Sequence, residues 1–288
     1  MLRKAWNFIL LQGIRVTLNS LSYLAPQTAG RLAFELFCTP RAGRPEDMDT
    51  SILATAEQQT VHLAGQTTRL YHWPGTGKRI FLFHGWESNS ARWETFLPSF
   101  KAQNFDVWAL DAPGHGYSTA KRFTVPLYAA VIKEALAIYQ PEAIVGHSAG
   151  GMASVLYLSQ NQPKFVKQLI LLATPSELIA LIDIYRKALG LSERLINQMG
   201  EVFEKRFTYP IRSFSIQQMA KKIQQPGLII HDLEDDIAPF EDAKAIHRNW
   251  PQSKLIKTQG LGHSLMGMEV IEQVSQYLGT LMPASRQH

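Results

Sequence analysis

The run Ala143-Ile-Val-Gly-His-Ser-Ala-Gly-Gly-Met-Ala-Ser-Val-Leu-Tyr-Leu158 decides how the rest of the chain is read. It starts as a short apolar segment of strand length and ends with the apolar spacing of a helix. Between the two lies Gly146-His147-Ser148-Ala149-Gly150. A strand that passes at once into a helix must turn sharply, and small residues at 146 and 150 let the main chain close around the serine without a side-chain clash. The pattern predicts Ser148 raised above the end of a sheet with a helix directly behind it. The blander alternative is a serine that caps a helix on a glycine-rich turn.

Outward from this run, further apolar segments of similar length lie at Arg79–Phe83, Asp106–Leu110, Gln168–Leu172, Gly227–His231 and Ser253–Lys257. Helix-length stretches separate them, which is how strands buried on both faces of a parallel sheet are spaced. The expected architecture is α/β, a mostly parallel sheet with helices on both faces. Between Thr174 and Gln225 the strand rhythm stops and helical patterns take over at Leu178–Leu189, Ser192–Arg206 and Ser215–Lys222. This insertion reads as a cap over the sheet's end. The expected organisation is an N-terminal helical arm (1–45), a core in two parts (46–174 and 225–288) and the cap (175–224) between them.

Ligands of an open parallel sheet bind beyond the carboxyl ends of its strands, so those ends carry the chemistry. A serine hydroxyl is a weak nucleophile and needs a base with an acid to orient it. The fifth of the six apolar runs continues as His231-Asp-Leu-Glu-Asp-Asp-Ile-Ala-Pro239, and the sixth is followed by Gly260-Leu-Gly-His263. The chain order serine, acid, histidine is thereby met, with His263 as the base. Asp232, Glu234, Asp235 and Asp236 crowd the acid loop, and the residues alone leave the choice open. Acyl chemistry also needs backbone donors for an oxyanion. Ala149 N–H supplies one, and the turn Phe83-His84-Gly85-Trp86 offers Trp86 N–H as the second.

No G-x-G-x-x-G, Walker lysine motif or H-E-x-x-H occurs, so nucleotide and zinc chemistry have no support. His84, His115 and His231 match no common metal-site spacing, and His62, His72, His247 and His288 read as surface or packing residues. No cofactor or metal is expected.

With 45% hydrophobic residues in 288, the chain has material for a large core, which excludes disorder. Cys38 is the single cysteine, so an intrachain disulfide framework is impossible and a reducing, cytoplasmic setting is the simpler expectation. The net charge of +5 sits in the first 45 residues, where Arg3, Lys4, Arg15, Arg31, Arg41 and Arg44 face Glu35 alone. The remainder is balanced and has no basic stripe, which argues against nucleic acid as a partner. The arm itself is interrupted by Asn7, Gln12, Arg15 and Asn19 too often for a signal peptide or a membrane span. Trp6, Ile9, Leu10, Val16, Thr17, Leu21 and Leu24 approximate one helical stripe, and a second helix is expected after Pro26 through Ala29, Leu32, Ala33, Leu36 and Phe37. Docking on the protein's own surface is the first reading of this arm; peripheral membrane contact through residues 1–25 is the second.

Taken together, His84-Gly85-Trp86, Asp111-Ala-Pro-Gly-His-Gly-Tyr-Ser118, the Gly146–Gly150 turn, the His231–Pro239 loop and Gly262-His263 resemble the α/β-hydrolase superfamily over roughly residues 60–288. In relatives the acid loop commonly reads H-G-x-x-D-x-x-x-P, so the resemblance implies Asp235, although Asp232 stands where glycine is usual. The neighbours His147 and Ala149 look more like carboxylesterases, monoglyceride lipases and thioesterases than like proline iminopeptidases. The resemblance implies a cofactor-independent serine hydrolase of a small-molecule ester, acyl or aromatic, with a thioester left open. A ligand-binding protein that keeps the fold without turnover is the runner-up. Leu178, Ile179, Leu181, Ile182, Leu191, Leu195, Met199, Phe203 and Phe207 make the cap apolar, mostly as its own core. The oligomeric state is not legible.

Overall fold

The computed structural model describes residues 2–43, 52–207 and 209–280, with side chains from residue 11 onward. The strands are β1 (Glu57–Leu63), β2 (Gln66–Trp73), β3 (Arg79–Phe83), β4 (Asp106–Leu110), β5 (Ala143–His147), β6 (Gln168–Leu172), β7 (Gly227–Asp232) and β8 (Ser253–Thr258). The helices are α1 (Leu2–Leu24), α2 (Pro26–Cys38), α3 (Leu97–Ala102), α4 (Val125–Tyr139), α5 (Ala149–Asn161), α6 (Leu178–Leu189), α7 (Glu193–Phe207), α8 (Ile216–Ala220), α9 (Phe240–Asn249) and α10 (Met268–Gly279). Among the described residues no helix is long and apolar enough to cross a membrane.

The chain divides into two compact units, Pro40–Ser176 with Ile216–His288, and Met1–Thr39 with Glu177–Ser215. In the larger unit the strands form one sheet in the order β1-β2-β4-β3-β5-β6-β7-β8. β1, β2 and β4 pair antiparallel, and every pairing from β4 through β8 is parallel. The architecture is the expected α/β one, a mostly parallel sheet of eight strands with helices on both faces. All five residues of β4, β5 and β6 are buried, so a continuous apolar run is what a strand covered on both faces requires. One face packs Trp93, Phe96 and Phe100 with Val270, Val274 and Leu278 of α10; on the other, the Phe83 ring meets Tyr128 of α4 edge-on. The chain runs from β3 outward to β4 and then returns to β5 on the opposite side of β3. Sheets of this class bind ligands at such a reversal, here the carboxyl ends of β3 and β5.

The six apolar runs all become strands, while β1 and β2 add a hairpin that the apolar-run criterion passes over. β1 is a solvent-facing edge reading Glu-Gln-Gln-Thr-Val-His-Leu, with only Leu63 buried. The usable signal is the turn instead: Ala64 and Gly65 both have positive φ (50° and 73°), the conformation that joins two strands tightly.

The smaller unit joins the arm to the inserted helices, so arm and cap are not the separate segments expected from sequence. The insertion also ends earlier, because α8 belongs to the larger unit. Polar bonds explain the union. Asn19 bridges the α6–α7 turn, its Nδ2 donating to Gly190 O (3.0 Å) and its Oδ1 accepting from Ser192 N (2.8 Å). Ser22 O accepts from Arg194 Nε (2.9 Å) and Gln198 Nε2 (2.8 Å). The buried face of α1 runs through Leu18 and Ser22, whereas Val16 and Leu24 are exposed, so the stripe expected to include them is set in the wrong helical phase. On α2, Ala29, Gly30, Ala33, Phe34 and Cys38 are buried and Leu32 is not. Leu195, Met199 and Phe203 are core of this same unit. The side chains of Arg3, Lys4, Trp6 and Leu10 lie outside the described residues.

Gly30 tests this packing. A Cβ there would meet Gln198 O at 2.6 Å, whereas one at Gly13 on α1 meets nothing within 4 Å. Helix propensity alone makes either Gly→Ala change favourable by about 0.5–1 kcal/mol. Overpacking typically costs about 1–3 kcal/mol, so Gly30→Ala should melt lower than wild type and Gly13→Ala should not, as followed by circular dichroism.

Candidate active site

Ser148 stands between β5 and α5 with φ 50° and ψ −118°, a conformation that a side-chain-bearing residue adopts only when its surroundings force it. The surroundings do so from several directions. Ser148 N donates to Leu172 O at the end of β6 (2.9 Å), and Met152 N reaches back to Ser148 O (3.0 Å). A Cβ at Gly150 would fall 2.2 Å from Phe83 O, and one at Gly146 would fall 2.7 Å from Gly151 Cα. The two glycines flanking the turn are therefore steric requirements of this geometry.

His263 lies in a 3-10 turn over Gly262–Ser264 after β8, and the structure brings it to the serine. Its Nε2 is 2.9 Å from Ser148 Oγ. Its Nδ1 lies 3.0 and 2.8 Å from the two carboxylate oxygens of Asp235. A carboxylate only accepts, so the neutral ring carries its proton on Nδ1 and Nε2 accepts from the serine hydroxyl.

The crowded acid loop sorts itself by partner. Asp235 is buried, and Oδ1 also accepts from Ile237 N (2.9 Å) and Ala238 N (2.8 Å). Burial pushes its pKa up, but hydrogen bonds from His231, His263 and Ala238 N outweigh that and hold the carboxyl well below its ordinary range. Asp232 faces elsewhere: Thr258 Oγ1 (2.7 Å) and Leu261 N (3.1 Å) donate to its Oδ2, and Glu234 N (2.9 Å) to its Oδ1. It braces the loop that carries His263. Asp236 is exposed, and exposed Glu234 accepts from Gln259 Nε2 (3.1 Å).

Ala149 N–H belongs to the first turn of α5, where no intrahelical carbonyl accepts it. Trp86 follows Gly85, whose Cα packs so closely on the site that a Cβ would meet Ser148 Cβ at 2.9 Å. His84 fixes the Gly85–Trp86 peptide. Its Nε2 accepts from Ala112 N (2.8 Å), so its proton is on Nδ1 and donates to Gly85 O (2.8 Å). In a trans peptide the next N–H points the opposite way, so Trp86 N–H is aimed away from that carbonyl. Farther along, Glu87 N donates to His115 Nε2 (2.9 Å), and His115 Nδ1 donates to Pro113 O (2.9 Å). Burial lowers His84 to about 3 and His115 to about 4, so both stay neutral at neutral pH. The Trp86 ring packs edge-on against His115 and Phe123, leaving its backbone free for the site.

The Asp111–Ser118 segment supports the same turn. Asp111 accepts from Tyr71 Oη, Ser90 N and Tyr117 N, each at 2.9 Å. Sequence reasoning missed Tyr71 because its strand was missed. It also missed the work of His147 and His231, which lie inside the quoted motifs but are silent about partners. His231 Nε2 donates to Ala238 O (2.7 Å) and lies 3.3 Å from Asp235 Oδ2, so the acid is flanked by two imidazoles. Among the described residues no cluster of His, Cys, Asp and Glu could hold a metal ion.

A family model described as the alpha/beta hydrolase fold matches residues 78–204. A pimeloyl-[acyl-carrier protein] methyl ester esterase of Neisseria meningitidis is 31% identical over 163 residues, covering 56% of this chain and 61% of that protein. A serine hydrolase-like protein of Danio rerio is 28% identical over 146 residues, covering 47% of this chain and 44% of that protein. The chain thus spans less than two thirds of the length of these curated relatives. Among solved structures, an esterase from Exiguobacterium antarcticum superposes with a TM-score of 0.60 at 20% identity, covering 77% of this chain and 98% of that one.

The charge state of Asp235 has a measurable consequence for stability. A carboxyl whose folded pKa is depressed contributes stability that is present above its unfolded value of about 3.9 and fades as pH falls toward the folded value. The gap in melting temperature between wild type and Asp235→Asn should therefore narrow steadily from pH 5 to pH 2.5. A gap that stays constant over that range would mean the carboxyl is not held ionised in the fold.

Proposed function

We propose that this chain, which has the α/β-hydrolase fold, is a serine hydrolase of carboxylic esters in which Ser148 is the nucleophile, His263 the base and Asp235 its orienting acid. The observation that carries this reading is the unbroken hydrogen-bonded chain from Ser148 Oγ through His263 to the buried Asp235. Ser148 Oγ attacks the ester carbonyl carbon as its proton passes to His263 Nε2, and Asp235 stabilises the imidazolium that forms. The oxygen of the tetrahedral intermediate gains its charge beside Trp86 N–H and Ala149 N–H, two donors fixed before the reaction begins. Collapse of the intermediate expels the alcohol, protonated by His263, and leaves an acyl-enzyme on Ser148. Water then repeats the sequence, with His263 again taking the proton, and frees the carboxylic acid.

Exposed apolar residues around the loops that carry the triad support an apolar acyl substrate. Leu233 and Ile237 flank Asp235, and Met266 follows His263 in the loop between its 3-10 turn and α10. Similarity to a protein named for a methyl ester of an acyl chain points the same way. The buried Cys38 suits a reducing, cytoplasmic setting.

Ser148→Ala and His263→Ala should each lower kcat on p-nitrophenyl butyrate by about 10^3-fold or more with the melting temperature little changed. Asp235→Asn should lower it by about 10^2 to 10^4-fold, and Asp236→Asn should leave it near wild type. Near-normal turnover by Ser148→Ala would end the serine mechanism. Medium-chain p-nitrophenyl esters should exceed the acetate in kcat/KM, and a steady fall from acetate upward would remove the apolar acyl assignment.

A further inference from the structure

The base sits on a short 3-10 turn, yet its imidazole must be held to within a fraction of an ångström of Ser148. Asp232 anchors the entrance of that turn through Leu261 N. The exit is held by two buried side chains that arrive from other elements. His147 Nε2 lies 2.9 Å from His263 O, and Arg92 Nη2 donates to Ser264 O at 2.9 Å. These are two successive carbonyls of the base-bearing turn. His147 comes from the end of β5, immediately before the nucleophile, and Arg92 comes from the 3-10 turn Ser90–Trp93 that follows the Gly85–Trp86 peptide.

Their chemistry is specified by burial. His147 faces a carbonyl through Nε2, so Nε2 carries the proton. Nδ1 is buried without a partner and faces Gly85, where a Cβ would meet it at 3.0 Å. Burial, and after it the charge of Arg92, holds His147 well below the usual histidine range, so the ring stays neutral and the donor stays in place. Arg92 is itself buried, stacks over the Trp93 ring at 4.6 Å and has Nη1 without a hydrogen-bond partner. A packing role alone does not call for a cation here, since a buried charge is costly unless something uses it. What uses it is the Ser264 carbonyl, and through it the orientation of His263.

We propose that Arg92 and His147 are positioning residues of the base: each donates to one of the successive carbonyls of Ser264 and His263, and together they tie the base-bearing turn to the oxyanion turn and to the nucleophile's strand. This rests on reading Ser148 as the nucleophile, and it goes beyond the triad in assigning the alignment of His263 to two residues that do not touch substrate. The three parts of the site, which lie more than a hundred residues apart in places, are thereby locked in register by side chains whose own bonds are to backbone.

The test is the second-order rate of Ser148 labelling by a fluorophosphonate in the full-length protein, with kcat and KM on p-nitrophenyl butyrate alongside. Arg92→Met and His147→Phe should slow labelling and kcat by about 10- to 100-fold while KM stays within about twofold, because misplacement of a reacting group by an ångström costs about that much. Arg92→Lys, which keeps the charge and a donor, and His147→Gln, which keeps a donor, should recover part of the lost rate. Labelling of both variants at the wild-type rate would overturn the proposal, as would a loss that Arg92→Lys and His147→Gln do not reduce. If the wild-type protein itself is not labelled, the serine-hydrolase reading falls, and this proposal with it.

Discussion

The site depends on one constraint, the backbone of Ser148 at positive φ between a buried strand and a helix. Such a conformation costs of order 1–3 kcal/mol and persists only where the surrounding structure overdetermines it. Here the Leu172 carbonyl, the absence of side chains at 146 and 150, and the pairing of β5 between β3 and β6 supply that determination. The strained turn places a hydroxyl at the strand ends where strand order reverses, with the amide of Ala149 at a helix N-terminus alongside it. Strand, turn and helix are thus one device, and the remaining loops are arranged to meet it.

Buried histidines and carboxylates hold those loops through hydrogen bonds to backbone. His84 and His115 remain uncharged and span turns by accepting one amide and donating to one carbonyl. Asp111 and Asp232 each collect several donors. A hydrogen bond adds only about 1 kcal/mol net, but leaving one partner buried and unsatisfied costs about 1–3 kcal/mol. Each loop therefore has one low-energy arrangement, which is what a site needs before substrate arrives. The smaller unit follows the same logic with Asn19 and Ser22, where two backbone carbonyls and one amide find side-chain partners.

What the sequence made legible was whatever announces itself locally. The Gly146–Gly150 turn, the apolar runs and the order of Ser148, Asp235 and His263 all depend on residue type at short spacing. Less legible was anything set by partners far along the chain. The β1–β2 hairpin was hidden because an exposed edge strand has no apolar run. The phase of α1 was misjudged because its packed stripe is half polar, with Asn19 serving the α6–α7 turn and the Ser22 carbonyl serving α7. Asp232 looked like an anomaly in the acid loop, although its carboxylate is bonded to Thr258 and Leu261, a fact that no local pattern contains. Arg92 had no sequence signal at all, since its partner Ser264 lies 172 residues away.

The central claim is that this strained serine forms a covalent acyl intermediate. It is tested most directly by mixing the protein with a p-nitrophenyl ester, quenching in acid during the first turnover and mapping the acylated peptide by mass spectrometry. A serine nucleophile requires the acyl mass on the peptide that contains Ser148, and its disappearance as turnover completes. Steady ester hydrolysis with that peptide unmodified throughout, or with the acyl group on a different residue, would contradict it.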